Sequence, residues 1–329
     1  MRSRATIARC WSLIAVLVLV AVGVSSAQAA SPPRWKFAPG KSLNYVLERS
    51  VDGKMALAGN EFGIKMGMTF DTTWKCTGVN DDGTANLEQT IDRIQIGMNS
   101  PLAGQISYDS STSEVPEGPL GAFMGPMITG MLHQSFKLKV SPTGEVSDIQ
   151  LPEKLVAAFA KQAEVSQNRR GGLGIGGNAF DEKGIKQLIE QAVLPLPESD
   201  DADETWSQEF ENEIPGLGIE FAETTYSLAG NETVDGKALV KIAAETEVLF
   251  EPAEEPRAEM EIVEQSSSAT ALFDAEAGHL VRTDGKQVAV KEISGQQEVS
   301  QNLTESFKMY LGTSPASSDK SDTKEPDNK

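Results

Sequence analysis

The chain has 329 residues and a formal net charge of −19, from 48 acidic and 29 basic side chains. Such a protein lacks the basic face that a phosphate backbone requires, so the composition excludes nucleic acid and disfavours anionic membrane surfaces as partners. Two cysteines and two histidines leave little material for disulfides, tetrahedral zinc sites or nucleophile–histidine catalysis.

Residues 1–29 have the three parts of a secretory signal peptide. Arginines precede an apolar run at residues 13–24, and small residues follow it around Ala27 and Ala29. The run is shorter than the roughly 20 apolar residues that span a bilayer. We therefore expect cleavage before Ala30 rather than a retained membrane anchor. The mature protein is predicted to be exported, to the periplasm or outside the cell.

Composition and periodicity divide the mature chain into four segments. Residues 30–151 and 198–312 are predicted to be two β-rich halves. Residues 152–197 are predicted to be a helical connector with a glycine-rich loop. Residues 313–329 hold too few apolar side chains to order themselves, so we predict a disordered tail.

Period-two alternation and Asp-Gly pairs predict β-hairpins in both halves. Trp206, Phe210 and Ile214 alternate with polar residues, which is typical of a strand with one buried face. Asp-Gly supplies the positive φ angles of tight turns. Around Asp92 the alternation changes face, which predicts a β-bulge. Four Asp-Gly pairs predict turns, at residues 52–53, 82–83, 235–236 and 284–285.

The two halves also share a short pattern. Residues 72–85 align with residues 224–238 after one insertion, so that Cys76 corresponds to Leu228. Both stretches lead through an Asp-Gly turn into a long strand, which indicates a duplication. The predicted fold class is mainly β. It consists of two tandem related antiparallel halves, each an open curved sheet or half-barrel, joined by two helices.

The connector has helical periodicity. Pro152 opens a segment with Leu155 and Phe159 on one face, since proline suits a first helical turn. A second segment follows Asp181, which is a suitable N-cap, and carries Ile189 on its apolar face.

Several motifs together mark a resemblance. They are Tyr45, Trp74 before Asp82-Gly83, the strand at residues 91–94, Tyr108-Asp109-Ser110, the turn at residues 144–146 and the restart Glu204-Thr205-Trp206. This pattern resembles a family of uncharacterised exported β-rich proteins of planctomycete-type bacteria, over most of residues 37–295. The resemblance implies a β-rich exported fold. It assigns no activity, so no catalytic residue is carried over.

Catalytic chemistry finds little support in the residues themselves. His133 and His279 have no recognisable nucleophile motif beside them. Cys76 corresponds to an apolar position in the aligned segment, which favours a core residue over a reactive thiol. We therefore expect a protein that is not an enzyme. A pair of carboxylates acting as a hydrolase stays open, because two acids suffice for that chemistry.

Two further patterns have both a functional and a structural interpretation. Gly172, Gly174 and Gly177 match the dinucleotide-binding spacing, but no strand precedes them, which favours an interhelical loop. The acidic residues of 200–204 offer oxygens to Ca²⁺ but lack the signature of a calcium loop. A solvated linker is favoured there, and calcium stays open. No cofactor and no metal site is predicted.

The stretch at residues 118–132 contains no charged side chain. Methionine is common at adaptable apolar surfaces, and ligand pockets are mostly apolar, so this stretch is a candidate lining or lid for an apolar ligand. The alternative is a segment that plugs the open side of its own sheet. The candidate ligand-binding residues are Phe123, Met124, Met127, Ile128 and Met131.

The sequence thus predicts an exported, non-catalytic monomer without a transmembrane anchor after signal cleavage. Its predicted partner is an apolar small molecule or an envelope protein. Two alternatives stay open. One is a structural or interaction protein without a small-molecule site, and the other is a carboxylate-based hydrolase.

Overall fold

The computed structural model describes residues 32–57, 59–100, 104–113, 115, 118–167, 181–199, 205–295 and 298–314. These residues belong to a single compact unit. Several predictions lie outside the described residues. They concern the signal peptide, the glycine pattern at residues 172–177, the acidic stretch 200–204 and residues 315–329 of the predicted tail.

Twelve strands and three helices make up the regular structure of the described residues. The strands are β1 Ser42–Leu57, β2 Asn60–Val79, β3 Ala85–Ser100, β4 Gly104–Asp109, β5 Ser135–Val140, β6 Val146–Gln150, β7 Thr205–Ile214, β8 Gly218–Val234, β9 Lys237–Pro252, β10 Glu259–Asp274, β11 His279–Ser294 and β12 Val299–Leu311. The helices are α1 Gly118–Met131, α2 Glu153–Gln167 and α3 Glu182–Gln191.

All twelve strands belong to one antiparallel sheet. From edge to edge the order is β7 to β12, then β1, β2, β3, β5 and β6, with β4 paired to β3. The first and last strands meet in the middle, in a register that runs from Tyr45↔Leu311 to Leu57↔Val299. The predicted mainly β, antiparallel class is confirmed. Strands of both predicted halves share one sheet, and their relation as a repeat stays a prediction.

Two of the four predicted Asp-Gly turns are confirmed. Gly83 has a φ of 86° between β2 and β3, and Asp235 and Gly236 have φ values of 50° and 80° between β8 and β9. The predicted bulge is also confirmed, because the register shifts from Asp71↔Arg93 to Thr72↔Ile91 and leaves Asp92 as the extra residue.

The turns predicted at residues 52–53 and 284–285 are wrong, because both pairs lie inside strands. A Cβ on Gly53 would meet the backbone oxygen of Asn302 at 2.2 Å. A Cβ on Gly285 would lie 3.0 Å from the Phe307 ring. These glycines are required by close approach between neighbouring strands and not by a positive φ angle.

An aromatic cluster fills one end of the sheet's inner side. Trp35 packs edge-on against Phe273, with ring centroids 5.3 Å apart, and lies 6.2 Å from Trp74. Its indole N–H donates to the backbone oxygen of Leu194 at 2.9 Å. The segment before β1 is thereby fixed to the segment after α3, and together they close this end of the core.

The segment after α3 also connects the two edges of the sheet. Leu196 N–H donates to the Thr143 oxygen, in the turn between β5 and β6, at 2.8 Å. The Trp206 indole, at the start of β7, donates to the Pro195 oxygen at 3.1 Å. The edge strands β6 and β7 are therefore linked through this segment at the end that carries the aromatic cluster.

Candidate functional site: a cavity inside the curved sheet

A cavity of about 280 Å³ lies between α3 and the inner face of the sheet. Strands β7 to β12 and β1 all contribute side chains to it, so this part of the sheet curves around a common space. One end of the cavity is apolar, because large, buried apolar side chains line it. They are Leu194, Ile242, Leu280 and Met309.

Small side chains line the middle of the cavity. Because none of them is bulky, they leave room between the sheet and α3 that Leu or Phe would fill. Thr224 and Thr246 share a hydrogen bond of 2.9 Å between their hydroxyls across β8 and β9, so much of their polarity is satisfied within the wall. The small lining residues are Ala222, Thr224, Ala244, Thr246, Ser267, Ala269 and Gly285.

A second cavity, of about 310 Å³, adjoins the first. The two share lining residues on α3, β1 and β12, among them Leu188, Arg49 and Glu305. Along β11 the combined lining runs from Leu280 to Lys291, which corresponds to a groove on the order of 35 Å long at about 3.3 Å per residue. The two cavities therefore form one elongated groove.

Ion pairs line the groove away from its apolar end. The Lys291 ammonium pairs with the Glu220 carboxylate, and their side chains are only 22% and 17% exposed. A guanidinium nitrogen of Arg49 lies 3.7 Å from the Glu305 Oε2 atom. Pairing offsets the free-energy cost of removing each charge from water. The groove is therefore amphipathic along its length.

Helix α3 forms the roof of the groove. The Asp181 carboxylate accepts the Gly184 N–H at 2.8 Å, which confirms the predicted N-cap. Ile185 and Ile189 are buried in the core. The Gln187 amide donates to the Glu211 oxygen of β7 at 2.6 Å, which holds the helix against the edge strand.

The predicted ligand-binding residues lie elsewhere. On α1, Met127 and Ile128 are 1% and 0% exposed and belong to the central core. Met124 and Met131 are also buried, and the side chain of Phe123 lies outside the described residues. None of the four described side chains lines either cavity. Their burial favours the plug interpretation, and the ligand-binding role stays a prediction.

The candidate catalytic residues lie in structural surroundings, and they are Cys76, His133 and His279. Cys76 is 1% exposed, and burial raises the pKa of its thiol. His133 follows α1 with a φ of 56°, and its N–H donates to the Ile91 oxygen at 2.8 Å. His279 opens β11 opposite Asp274. Within the described residues, no three His, Cys, Asp or Glu side chains are grouped so as to hold a metal ion.

Sequence reasoning missed the groove because its lining comes from seven strands and a helix. The available signal was the run of small inward positions, such as Ala222-x-Thr224 in β8 and Ala244-x-Thr246 in β9. A strand that buries only small residues on its inner face leaves space unless bulky partners face it.

Among the described residues, none of the helices combines the length and the apolar character needed to span a bilayer.

Comparisons with solved structures give low similarity scores. The chain is 12% identical to lipovitellin, in a structure of lipid–protein interactions, with a TM-score of 0.45. The match covers 86% of this chain and 26% of that one, so this chain spans about a quarter of lipovitellin. DynF, from the dynemicin biosynthesis pathway of Micromonospora chersina, is 7% identical with a TM-score of 0.23 and 88% coverage of both chains.

A putative exported protein with a YmcC-like fold, from Bacteroides fragilis, is 8% identical with a TM-score of 0.22. The match covers 83% of this chain and 97% of that one. No curated protein matches this chain.

A family model matches residues 82–280, and its description is a family of unknown function, DUF6263. The expected resemblance to an uncharacterised family is confirmed to that extent, while planctomycete origin and export stay predictions. Because the match covers more than half of the chain, this protein belongs to the DUF6263 family of unknown function.

Proposed function

We propose that this protein is an exported, non-catalytic binding module that holds an elongated apolar or amphiphilic small molecule in the groove under α3. The apolar part of the ligand lies against Ile242, Leu280 and Met309. Its polar end lies towards the ion pairs of Lys291 and Arg49. The observation that carries this proposal is the continuous groove, apolar at one end and charged at the other.

The size of the groove supports the proposal. Protein interiors are close-packed, and voids larger than a water molecule are few. Ligand pockets occupy roughly 300–1,000 Å³, and each of the two adjoining cavities is close to the lower limit, at about 280 and 310 Å³. Small residues of the sheet lie between the larger lining side chains Phe210, Tyr226 and Phe307 under α3, and they preserve this space.

The cavity carboxylates favour binding over hydrolysis. The acids that line the groove are Glu220 and Glu305, and each is paired with a cation. A carboxylate-based glycosidase needs one carboxyl group as a proton donor and a second as nucleophile or base. Because both carboxylates are paired with cations, neither is available as the proton donor.

Export is part of the same proposal. Residues 1–29 supply the signal peptide, and cleavage before Ala30 releases the protein into the periplasm or the exterior. There an acidic surface keeps the protein soluble and monomeric by self-repulsion, while its groove carries an apolar molecule through water.

A cavity-filling substitution tests the proposal. Ala244 faces the groove, whereas Ala243 lies on the opposite face of the same strand. Binding of the apolar dye N-phenyl-1-naphthylamine is titrated by fluorescence with the mature protein. Ala244→Phe should weaken binding by about tenfold or more, since overpacking displaces the ligand, and Ala243→Phe should bind as the wild type does. Equal binding by both variants, or no binding by the wild type, would contradict the proposal.

A further inference from the structure

Strands β9 and β10 lie side by side but share backbone hydrogen bonds along only part of their length. Each has 16 residues, yet their ladder contains only the pairs from Ala269↔Ala244 to Phe273↔Val240. The neighbouring ladder between β8 and β9 runs from Gly218↔Pro252 to Val234↔Lys237. Beyond Ala244 and Ala269, the two strands therefore remain adjacent without a backbone ladder, and we call this weakly paired stretch the β9–β10 gap.

One side chain spans the gap. The Gln265 amide nitrogen donates to the Val248 backbone oxygen at 2.9 Å, and the Gln265 oxygen accepts the Val248 N–H at 2.8 Å. The side-chain amide thus replaces the peptide group that a continuous ladder would place there. A contact made by one rotatable side chain opens more readily than a ladder of backbone hydrogen bonds, because it opens without movement of the backbone.

The gap leads into the groove. Thr246 on β9 and Ser267 on β10 both line the first cavity, and Val248 lines the second. If the register of the ladder is continued, Thr246 and Ser267 are opposite each other. The inner rim of the gap is therefore the wall of the groove.

The outer rim is apolar. Leu249 on β9 is 59% exposed, and Val263 on β10 is 53% exposed. Val263 is the extra residue of a bulge, since the β10–β11 register shifts between Ile262 and Glu264. Two large apolar side chains thus face solvent on either side of the same gap, where a passing apolar chain would contact both.

We propose that the β9–β10 gap is the lateral entrance through which the ligand reaches the groove, with Gln265 as its latch. This inference rests on the proposed function. The ligand passes between Leu249 and Val263, the Gln265 amide rotates away from Val248, and the hydrogen bonds re-form once the chain lies in the groove.

A disulfide across the gap tests the entrance. Glu247 and Ser266 are exposed and, if the register of the ladder is continued, face each other one residue from the Gln265–Val248 contact. Glu247→Cys with Ser266→Cys therefore closes the gap beside the latch on oxidation. The matched control is Ala243→Cys with Thr270→Cys, a directly opposed pair within the existing ladder. The native Cys76 is 1% exposed and does not compete for either disulfide.

Stopped-flow uptake of N-phenyl-1-naphthylamine is then measured for each variant, oxidised and reduced. The oxidised gap variant should take up dye about tenfold more slowly or worse, as expected when a gating motion is blocked, and reduction should restore the rate. The oxidised control should match its reduced form. An unchanged rate in the oxidised gap variant would overturn the entrance and leave the binding function intact. A lack of uptake by every reduced protein would refute the binding function itself.

A latch variant provides a second test. Gln265→Met keeps the length of the side chain and removes both hydrogen bonds to Val248. Uptake and release should both accelerate by about tenfold, which corresponds to the loss of two ordinary hydrogen bonds from the closed state, and the equilibrium affinity should stay the same. Gln301→Met, outside both cavities, is the control and should leave both rates unchanged. Unaltered rates in Gln265→Met would overturn the latch.

Discussion

The phenol of Tyr45 on β1 donates a hydrogen bond of 3.0 Å to the backbone oxygen of Leu280 on β11. Strand β12 lies between these two strands, so the contact reaches across the centre of the sheet. Burial raises the pKa of the Tyr45 phenol well above its usual range. The hydroxyl therefore acts as a permanent donor that joins β1 to β11 at Leu280, which lines the groove.

Removal of this hydroxyl should destabilise the fold. Tyr45→Phe leaves the Leu280 oxygen without that donor in a buried position, which should cost about 1–3 kcal/mol, measured by urea denaturation. Tyr310→Phe is the control, because the Tyr310 hydroxyl donates to Glu48 in a less buried setting, and it should cost less. Equal losses of unfolding free energy in both variants would show that the hydrogen bond across β12 stabilises the fold no more than the Tyr310–Glu48 hydrogen bond does.

The position of α1 predicts a large effect of charge in the core. Met127→Asp places a carboxylate at a site that is 1% exposed, and should cost about 3 kcal/mol or more in unfolding free energy. Thr129→Asp, on the exposed side of the same helix, should be nearly neutral. Little loss of stability in Met127→Asp, combined with loss of dye binding, would instead support α1 as a ligand lid.

Acid should weaken the contact between β3 and β4. Arg93 forms an ion pair with Asp109 and, together with Gln95 and Ser111, holds the pKa of this carboxyl well below its usual range. Because the folded pKa is depressed, this stabilisation is complete above the unfolded value of about 4 and is lost as the pH falls through the folded pKa.

Unfolding free energy measured from neutral pH to pH 3 tests this contribution. Asp109→Asn should lower stability at neutral pH and flatten the acid-side decline. Asp148→Asn, whose carboxyl is 61% exposed in its pair with Lys139, should change the profile little. A decline as steep in Asp109→Asn as in the wild type would assign acid sensitivity to other carboxylates.

The groove ion pair should be more sensitive to loss of one partner than of both. Lys291→Met leaves Glu220 largely buried without its cation, and should cost about 2–3 kcal/mol. Adding Glu220→Gln should restore most of that loss, because no unpaired charge then remains. Chemical denaturation of the single and double variants measures their unfolding free energies. A double variant that is less stable than either single variant would contradict this expectation.

Local patterns predicted several strands and some of the turns, bulges and helix starts that bound them. The alternation around Phe210 predicted β7, the change of face at Asp92 predicted the bulge, and Asp181 predicted the start of α3. These features depend on neighbours within a few residues, so the sequence displays them directly.

The features that the sequence did not reveal depend on distant contacts. Gly53 resembles a turn residue until the Asn302 oxygen is placed 2.2 Å from its absent Cβ. The β1–β12 pairing brings together residues such as Tyr45 and Leu311, for which no short-range pattern exists. The groove is likewise lined by small residues that are ordinary in any one strand. Helix α1 forms despite its glycines and Pro126, because burial outweighs weak intrinsic propensity.

Native mass spectrometry of the protein purified from its own envelope is the most direct test of a ligand-holding groove. We expect the mature chain with the added mass of an elongated apolar or amphiphilic molecule. That added mass should be absent from Ala244→Phe and retained by Ala243→Phe. A bare chain in the wild type, together with failure to take up an apolar dye, would show that the groove holds no ligand.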